Sequence, residues 1–246
     1  MATLNGDAPL LDVQRLAKRF GGVVASAGID LQVRAGEVHA LIGPNGAGKT
    51  TLIAQLAGQL RPDGGRIVFA GDDITRLSPH QRARRGLARS FQITRLFRSF
   101  DVQGNVALAV QASAASPMTR AAIEARAREV LAEIGLETRA RDAIEALSHG
   151  EQRALEVGLA VAGRPRLILL DEPMAGMGHE ESRRMEALIA RLRTQATLLI
   201  VEHDVDAVFR LADRVSVLVG GSVIASGAPA AVRGDAAVIE AYLGEE

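Results

Sequence analysis

The chain has 246 residues, 48% of them hydrophobic and 24% charged, enough to bury a sizeable core in one large domain or two small ones. Lys plus Arg equals Asp plus Glu at 29 each, so no net charge draws it toward nucleic acid or an anionic membrane, and no nucleic-acid partner is expected. Cysteine is absent, which excludes disulfides, zinc–thiolate sites, iron–sulfur clusters and a thiol nucleophile.

Residues 1–7 carry neither a basic nor an apolar leader segment, and no apolar run approaches the roughly 18 residues that cross a bilayer, so a soluble cytoplasmic chain is expected. Residues 11–19 and 28–33 read as strands separated by a Gly21-Gly22 turn. Val38–Ile42 is a short apolar strand running into a glycine-rich turn. From Thr50, Leu52, Ile53, Leu56, Ala57 and Leu60 share a helical face, which 61–65 ends before a strand over 66–70. The middle is helical: a start at Ser78-Pro79, an amphipathic helix over 119–134, and a helix from Ser148 to near Gly163. Residues 166–170 are apolar after Arg166, as in a strand covered on both faces. A helix bearing Met185, Leu188, Ile189 and Leu192 follows, then a second buried strand over Thr197–Val201 and a hairpin over 215–225. The pattern predicts one compact α/β unit with a helical insertion.

Gly43-Pro-Asn-Gly-Ala-Gly-Lys-Thr50 fits G-x-x-x-x-G-K-[ST] at every fixed position. Backbone N–H groups can wrap a polyphosphate where Gly43, Gly46 and Gly48 remove the Cβ atoms, and a helix opening at Lys49 adds its positive end. Only Lys18 and Lys49 are lysine among the 29 basic residues, the others being arginine. Each lysine therefore invites a reason, and Lys49 has one: a slender point charge for the β- and γ-oxygens. Thr50 offers a hydroxyl to Mg²⁺. Where the buried strand at 167–170 ends, Asp171 is suited to hold Mg²⁺ and Glu172 to orient and deprotonate a water; two acids capping the next helix is the plainer alternative. A GTPase would need Asn-Lys-x-Asp, which the two lysines do not supply.

Leu147-Ser-His-Gly-Glu-Gln152 precedes the acidic pair by about twenty residues. With it the sequence resembles, from about Val13 to Gly244, the ATP-binding subunit of ABC transporters, whose signature usually reads Leu-Ser-Gly-Gly-Gln. The resemblance implies an α/β fold: a P-loop NTPase (RecA-like) core with an N-terminal antiparallel β region and an inserted α-helical subdomain. Residues 1–246 then form a single ABC ATPase domain, the core being about 1–81 and 164–246 and the helical subdomain about 82–163. It implies ATP bound by Phe20, Gly43, Pro44, Asn45, Gly46, Ala47, Gly48, Lys49, Thr50 and Thr51, with Phe20 stacked on adenine. Glu172, His203 as the switch histidine and Gln92 of the Q-loop would be catalytic, and Thr50, Gln92 and Asp171 would hold Mg²⁺. Ser148, His149, Gly150 and Glu151 would close the ATP of a second subunit, although Ser148 with Glu151 also spells a plain capping box.

The implied partners are a second copy or a paralogous ATPase, separate transmembrane permease subunits docked around residues 87–100, and indirectly a periplasmic solute-binding protein. The chain would lie in the cytoplasm, peripheral on the inner face of the cell membrane. In the docking stretch Leu96, Phe97 and Phe100 form an apolar patch rimmed by Arg89, Arg95 and Arg98. Lys18-Arg-Phe-Gly-Gly22, 91–97 and Ala241-Tyr-Leu-Gly244 look like branched-chain amino acid importer ATPases, which implies import of hydrophobic amino acids or related amides. Residues 81–86 and the same ending also suit a lipopolysaccharide-export ATPase. Two departures from the family pattern are His149 in place of the first signature glycine and Gly178 in place of the final Asp of the D-loop.

Overall fold

The computed structural model describes residues 8–90, 96–114 and 116–243, the last three as backbone. In chain order the elements begin with β1 (Leu11–Phe20), β2 (Val23–Val33), β3 (Val38–Ile42), α1 (Lys49–Leu56), β4 (Gly64–Phe69) and β5 (Asp72–Asp73). There follow α2 (Pro79–Arg84), β6 (Leu87–Arg89), α3 (Val102–Ser113), α4 (Arg120–Ile134), α5 (His149–Val161), β7 (Leu167–Asp171) and α6 (His179–Leu192). The chain closes with β8 (Thr197–Val201), α7 (Val205–Leu211), β9 (Arg214–Val219), β10 (Ser222–Gly227), α8 (Pro229–Arg233) and α9 (Ala236–Leu243). Two units result, one of Met1–Pro79 with Thr197–Glu246 and one of His80–Ala196.

The first unit holds two sheets. Strands β2-β1-β4-β5 are antiparallel throughout, the expected N-terminal β region. Strand β2 starts five residues earlier than its sequence suggests. Gly28, with φ +80, is not a strand start but lies at a register shift, where Leu16 pairs with Ile29 and Ala17 with Ala27. In the second sheet the run is β10-β9-β3-β8, with β3 parallel to both β8 and β9. Every residue of β3 and β8 is buried, as such runs require. The buried polar side chain in β3, His39, is satisfied by Ser216 Oγ at 2.8 Å and Glu37 Oε1 at 3.0 Å. Ala40, Ile42, Val208, Val215, Val217, Val232 and Val238 form a core on this sheet. Helix α1 stops at Leu56, short of Leu60, because Gly58 turns left-handed at φ +76.

The second unit is helical around one pair of parallel strands, β6 and β7. Helix α4 starts on Thr119, whose side chain accepts from Ala122 N, and ends on left-handed Gly135. Helices α3, α4 and α5 pack on one another through Val102, Val106, Val110, Val130, Leu131, Ile134 and Leu155. At Gly158 a Cβ would stand 2.7 Å from Ile134 Cδ1, so this mid-helix glycine is the contact that lets α4 and α5 close. The three residues of β6 lie inside the stretch read as helical; so short a strand leaves no period to detect.

Candidate functional site

The loop at 43–50 leaves the buried strand β3 and feeds α1. Gly43, Gly46 and Gly48 have φ of +153, +78 and +104, which residues with a Cβ rarely adopt. Two of them have a packing reason besides the expected one. A Cβ on Gly43 would fall 2.0 Å from Leu218 O, and one on Gly48 2.3 Å from Ala25 O. These glycines let the loop press against the backbone of β9 and β2; only Gly46 faces open space. Ala47, buried, is tied in by Gly221 N donating to its carbonyl at 2.9 Å. Helix α1 begins with no side-chain cap and no acid in its first turn, so its leading N–H groups suit an anion. Lys49 is 6% exposed, and its ammonium donates to the carbonyls of Gly43 at 2.5 Å and Pro44 at 2.9 Å. Asn45 and Thr50 are exposed, while Pro44 and Thr51 are half-buried.

Leu41 pairs in register with Val201, so this loop and His203 leave the same C-terminal edge of parallel strands β3 and β8. His203 is exposed, and its backbone N–H donates to the buried Glu202 at 3.2 Å. Phe20, at the tip of the β1–β2 hairpin, is 50% exposed, where a core ring would be covered. The Lys18 ammonium lies 5.5 Å from its ring centroid and 2.7 Å from Asp63 Oδ1.

In the second unit β7 carries Asp171 at its buried end, and Glu172 follows at φ +50. A left-handed residue with a Cβ costs about 1–2 kcal/mol, so the surrounding fold holds this backbone in place. Asp171 Oδ2 accepts from Arg89 at 2.8 Å, both side chains being almost wholly buried. Arg89 is therefore not on the basic rim expected around the docking patch; β6 carries it inward to the acid. Phe97 and Phe100 are about half exposed and meet edge to face at 6.2 Å, on a segment pinned by buried Asn105. Gln92 and Arg95 fall outside the described residues.

At α5 the capping box forms: Glu151 N donates to Ser148 Oγ at 3.2 Å, and Ser148 N to Glu151 Oε2 at 2.8 Å. Glu181 from α6 accepts from Gly150 N at 3.2 Å, and the exposed His149 ring lies against Gly176. Glu181 and Asp63 carry no motif. Lys18 was marked by the scarcity of lysine and by the 18–22 stretch, and Arg89 only as part of the expected docking rim.

Residues 27–175 match the family model described as ABC transporter, and residues 222–246 match one described as branched-chain amino acid ATP-binding cassette transporter. The chain is 38% identical to the high-affinity branched-chain amino acid transport ATP-binding protein BraF of Pseudomonas aeruginosa, over 96% of this chain and 98% of that protein. It is 36% identical to the lipopolysaccharide export system ATP-binding protein LptB of Acidithiobacillus ferridurans, over 96% and 98%. Its structure is similar to a nucleotide-free ATP-binding cassette from an ABC transporter, with TM-score 0.86 and 29% identity over 96% of this chain and all of that one. With the glycine-strained loop, the buried acid and the signature cap in place, these likenesses over nearly the whole chain mean that it belongs to the ABC transporter family, as one of its ATP-binding cassettes.

Proposed function

We propose that the chain, an ATPase of this family, powers import of branched-chain or other hydrophobic amino acids, or related amides, through separate permease subunits. The observation that carries the solute class is the match of residues 222–246 to the branched-chain cassette model. Lipopolysaccharide export is the second reading, kept by the likeness to LptB over the same span.

Within this reading the single cassette spans 1–246, with 82–163 acting as its helical subdomain. Gly43, Pro44, Asn45, Gly46, Ala47, Gly48, Lys49, Thr50 and Thr51 grip the triphosphate. The uncapped start of α1 receives anionic oxygens, and the Lys49 ammonium exchanges the carbonyls of Gly43 and Pro44 for β- and γ-oxygens. The exposed ring of Phe20 stacks on adenine. Glu172 orients the attacking water and takes its proton, His203 contacts the γ-phosphate, and Gln92 of the Q-loop is the third catalytic residue. Thr50, Gln92 and Asp171 would hold Mg²⁺, which neutralises charge on the phosphate oxygens. Their hard oxygen donors fit. Among the described residues no group of three His, Asp or Glu gathers to hold an ion unaided, in keeping with one whose remaining ligands are phosphate and water.

Two cassettes, identical or paralogous, meet head to tail so that Ser148, His149, Gly150 and Glu151 of each close on the other's ATP. Binding closes the pair and hydrolysis reopens it, a shift of population driven by differential affinity. Among the described residues no helix is long and apolar enough to cross a membrane, so permeases supply the path, with a periplasmic solute-binding protein delivering the solute. The exposed pair Phe97 and Phe100 beside Arg98 suits their docking, which holds the chain on the inner face of the membrane.

Glu172→Gln is expected to bind ATP, to hydrolyse it about 10²–10⁴-fold more slowly, and to elute as a dimer when ATP is present. Elution only as a monomer would overturn the paired-site reading. Deleting the gene in its own host is expected to abolish uptake of labelled leucine and leave lipopolysaccharide export intact; the reverse outcome reinstates the second reading.

A further inference from the structure

Lys18 is the other lysine of a chain that otherwise writes arginine. Its side chain is 14% exposed, an unusual degree of cover for an ammonium at a hairpin tip. Asp63 takes it at 2.7 Å through Oδ1, while Asp63 Oδ2 accepts from Arg19 N at 2.8 Å and Asp63 N donates to Ala17 O at 2.9 Å. One aspartate thus grips three consecutive residues at the end of β1. From the other side the buried Gln55 of α1 donates to Ala17 O at 3.4 Å and accepts from Ser26 Oγ at 2.8 Å. The end of β1 is therefore fastened to the helix that opens at Lys49 and to the turn that follows that helix. Against this frame the ammonium sits over one face of Phe20, 5.5 Å from its centroid, and the ring remains half exposed.

We propose that Lys18, locked by Asp63, is a positioning residue for the nucleobase: it covers one face of Phe20 and holds the ring with its other face toward the adenine, at a fixed reach from the phosphate loop. The inference rests on Phe20 as the base platform. A ring so held loses no rotational freedom when the base arrives, and a cation on its covered face adds attraction that an exposed phenylalanine would lack. Lysine suits the place better than arginine, whose flat guanidinium would itself stack across the ring.

Calorimetry with Mg²⁺ tests this by comparing ATP with inorganic tripolyphosphate, which has no base. Lys18→Met is expected to weaken ATP about 3–10-fold and leave tripolyphosphate unchanged. Asp63→Asn should show a smaller loss of the same kind, and Lys18→Arg should recover part of the affinity. In a Phe20→Ala background, Lys18→Met should cost nothing further. Equal weakening of ATP and tripolyphosphate would make Lys18 a phosphate contact and overturn the proposal. Unchanged ATP affinity in Lys18→Met, with affinity lost in Phe20→Ala, would sink the role of Lys18 and leave the platform standing. Unchanged affinity in Phe20→Ala would remove the platform itself.

Discussion

Helices α1 and α5 both begin where a phosphate is expected, and they begin in opposite ways. Helix α1 starts on a left-handed glycine, with no side-chain cap and no acid in its first turn. Helix α5 starts on Ser148 in a full capping box, and Glu181 already accepts from Gly150 N. The first end leaves its N–H dipoles to the ligand and relies on tertiary packing of the loop for its stability. The second is satisfied by its own chain, so in the proposed pairing a partner's phosphate would exchange with carboxylates rather than fill an open donor set. Under that proposal the contrast favours tight resident binding at one end and reversible closure at the other.

The contrast can be broken in order of expected effect. Gly48→Ala puts a methyl group 2.3 Å from the Ala25 carbonyl at φ +104, and should cost about 2–4 kcal/mol in thermal or urea denaturation. An unchanged melting temperature would mean that the loop does not lean on β2. Lys49→Ala should lower ATP affinity roughly 100-fold in calorimetry while moving stability less than Gly48→Ala, since water can replace the ammonium at the Gly43 and Pro44 carbonyls. Ser148→Ala should do the reverse in isolated monomer: a stability loss of about 1 kcal/mol from the missing cap, with unchanged ATP affinity. A fall in monomer affinity would place Ser148 at its own chain's nucleotide. The smallest effect concerns pH. The Lys18 side chain first, then the Arg19 backbone N–H, hold the Asp63 carboxyl below its ordinary value of 3.8. Its contribution is complete above that value and is lost as pH falls through the lower folded one. Discrimination between ATP and tripolyphosphate should therefore not vary through Asp63 from about pH 8 down to about pH 5, as titration calorimetry at several pH values would register.

The parts of this fold legible in advance are those written locally. Strands β3 and β8 are apolar runs buried at every position, and α4 and α5 announce themselves by Thr119, Gly135, Ser148 and Glu151. Helix α3 escaped notice although Val102, Val106 and Val110 recur at helical spacing, with Asp101 as its cap; Gly104 and buried Asn105 interrupt the amphipathic pattern. The phosphate loop was legible as a motif but not in its cause, because the carbonyls that exclude a Cβ come from Ala25 and Leu218, far away in sequence. Distance along the chain also hid Arg89 behind Asp171, 82 residues on, and Glu181 behind Gly150, 31 residues back. A side chain's partner across such gaps leaves no periodic trace, so its role emerges only once strands and helices are assembled.

The arginine habit of this chain has a practical consequence. Its side-chain amines are confined to Lys18 and Lys49, both in the unit that carries the glycine loop and both shielded. Acylation by an amine-directed reagent, followed by mass spectrometry, thus reads the opening of two shielded side chains, one at the hairpin and one in the loop. Neither mutagenesis nor an attached dye is needed, and the two sites separate the ring end from the phosphate end in one spectrum.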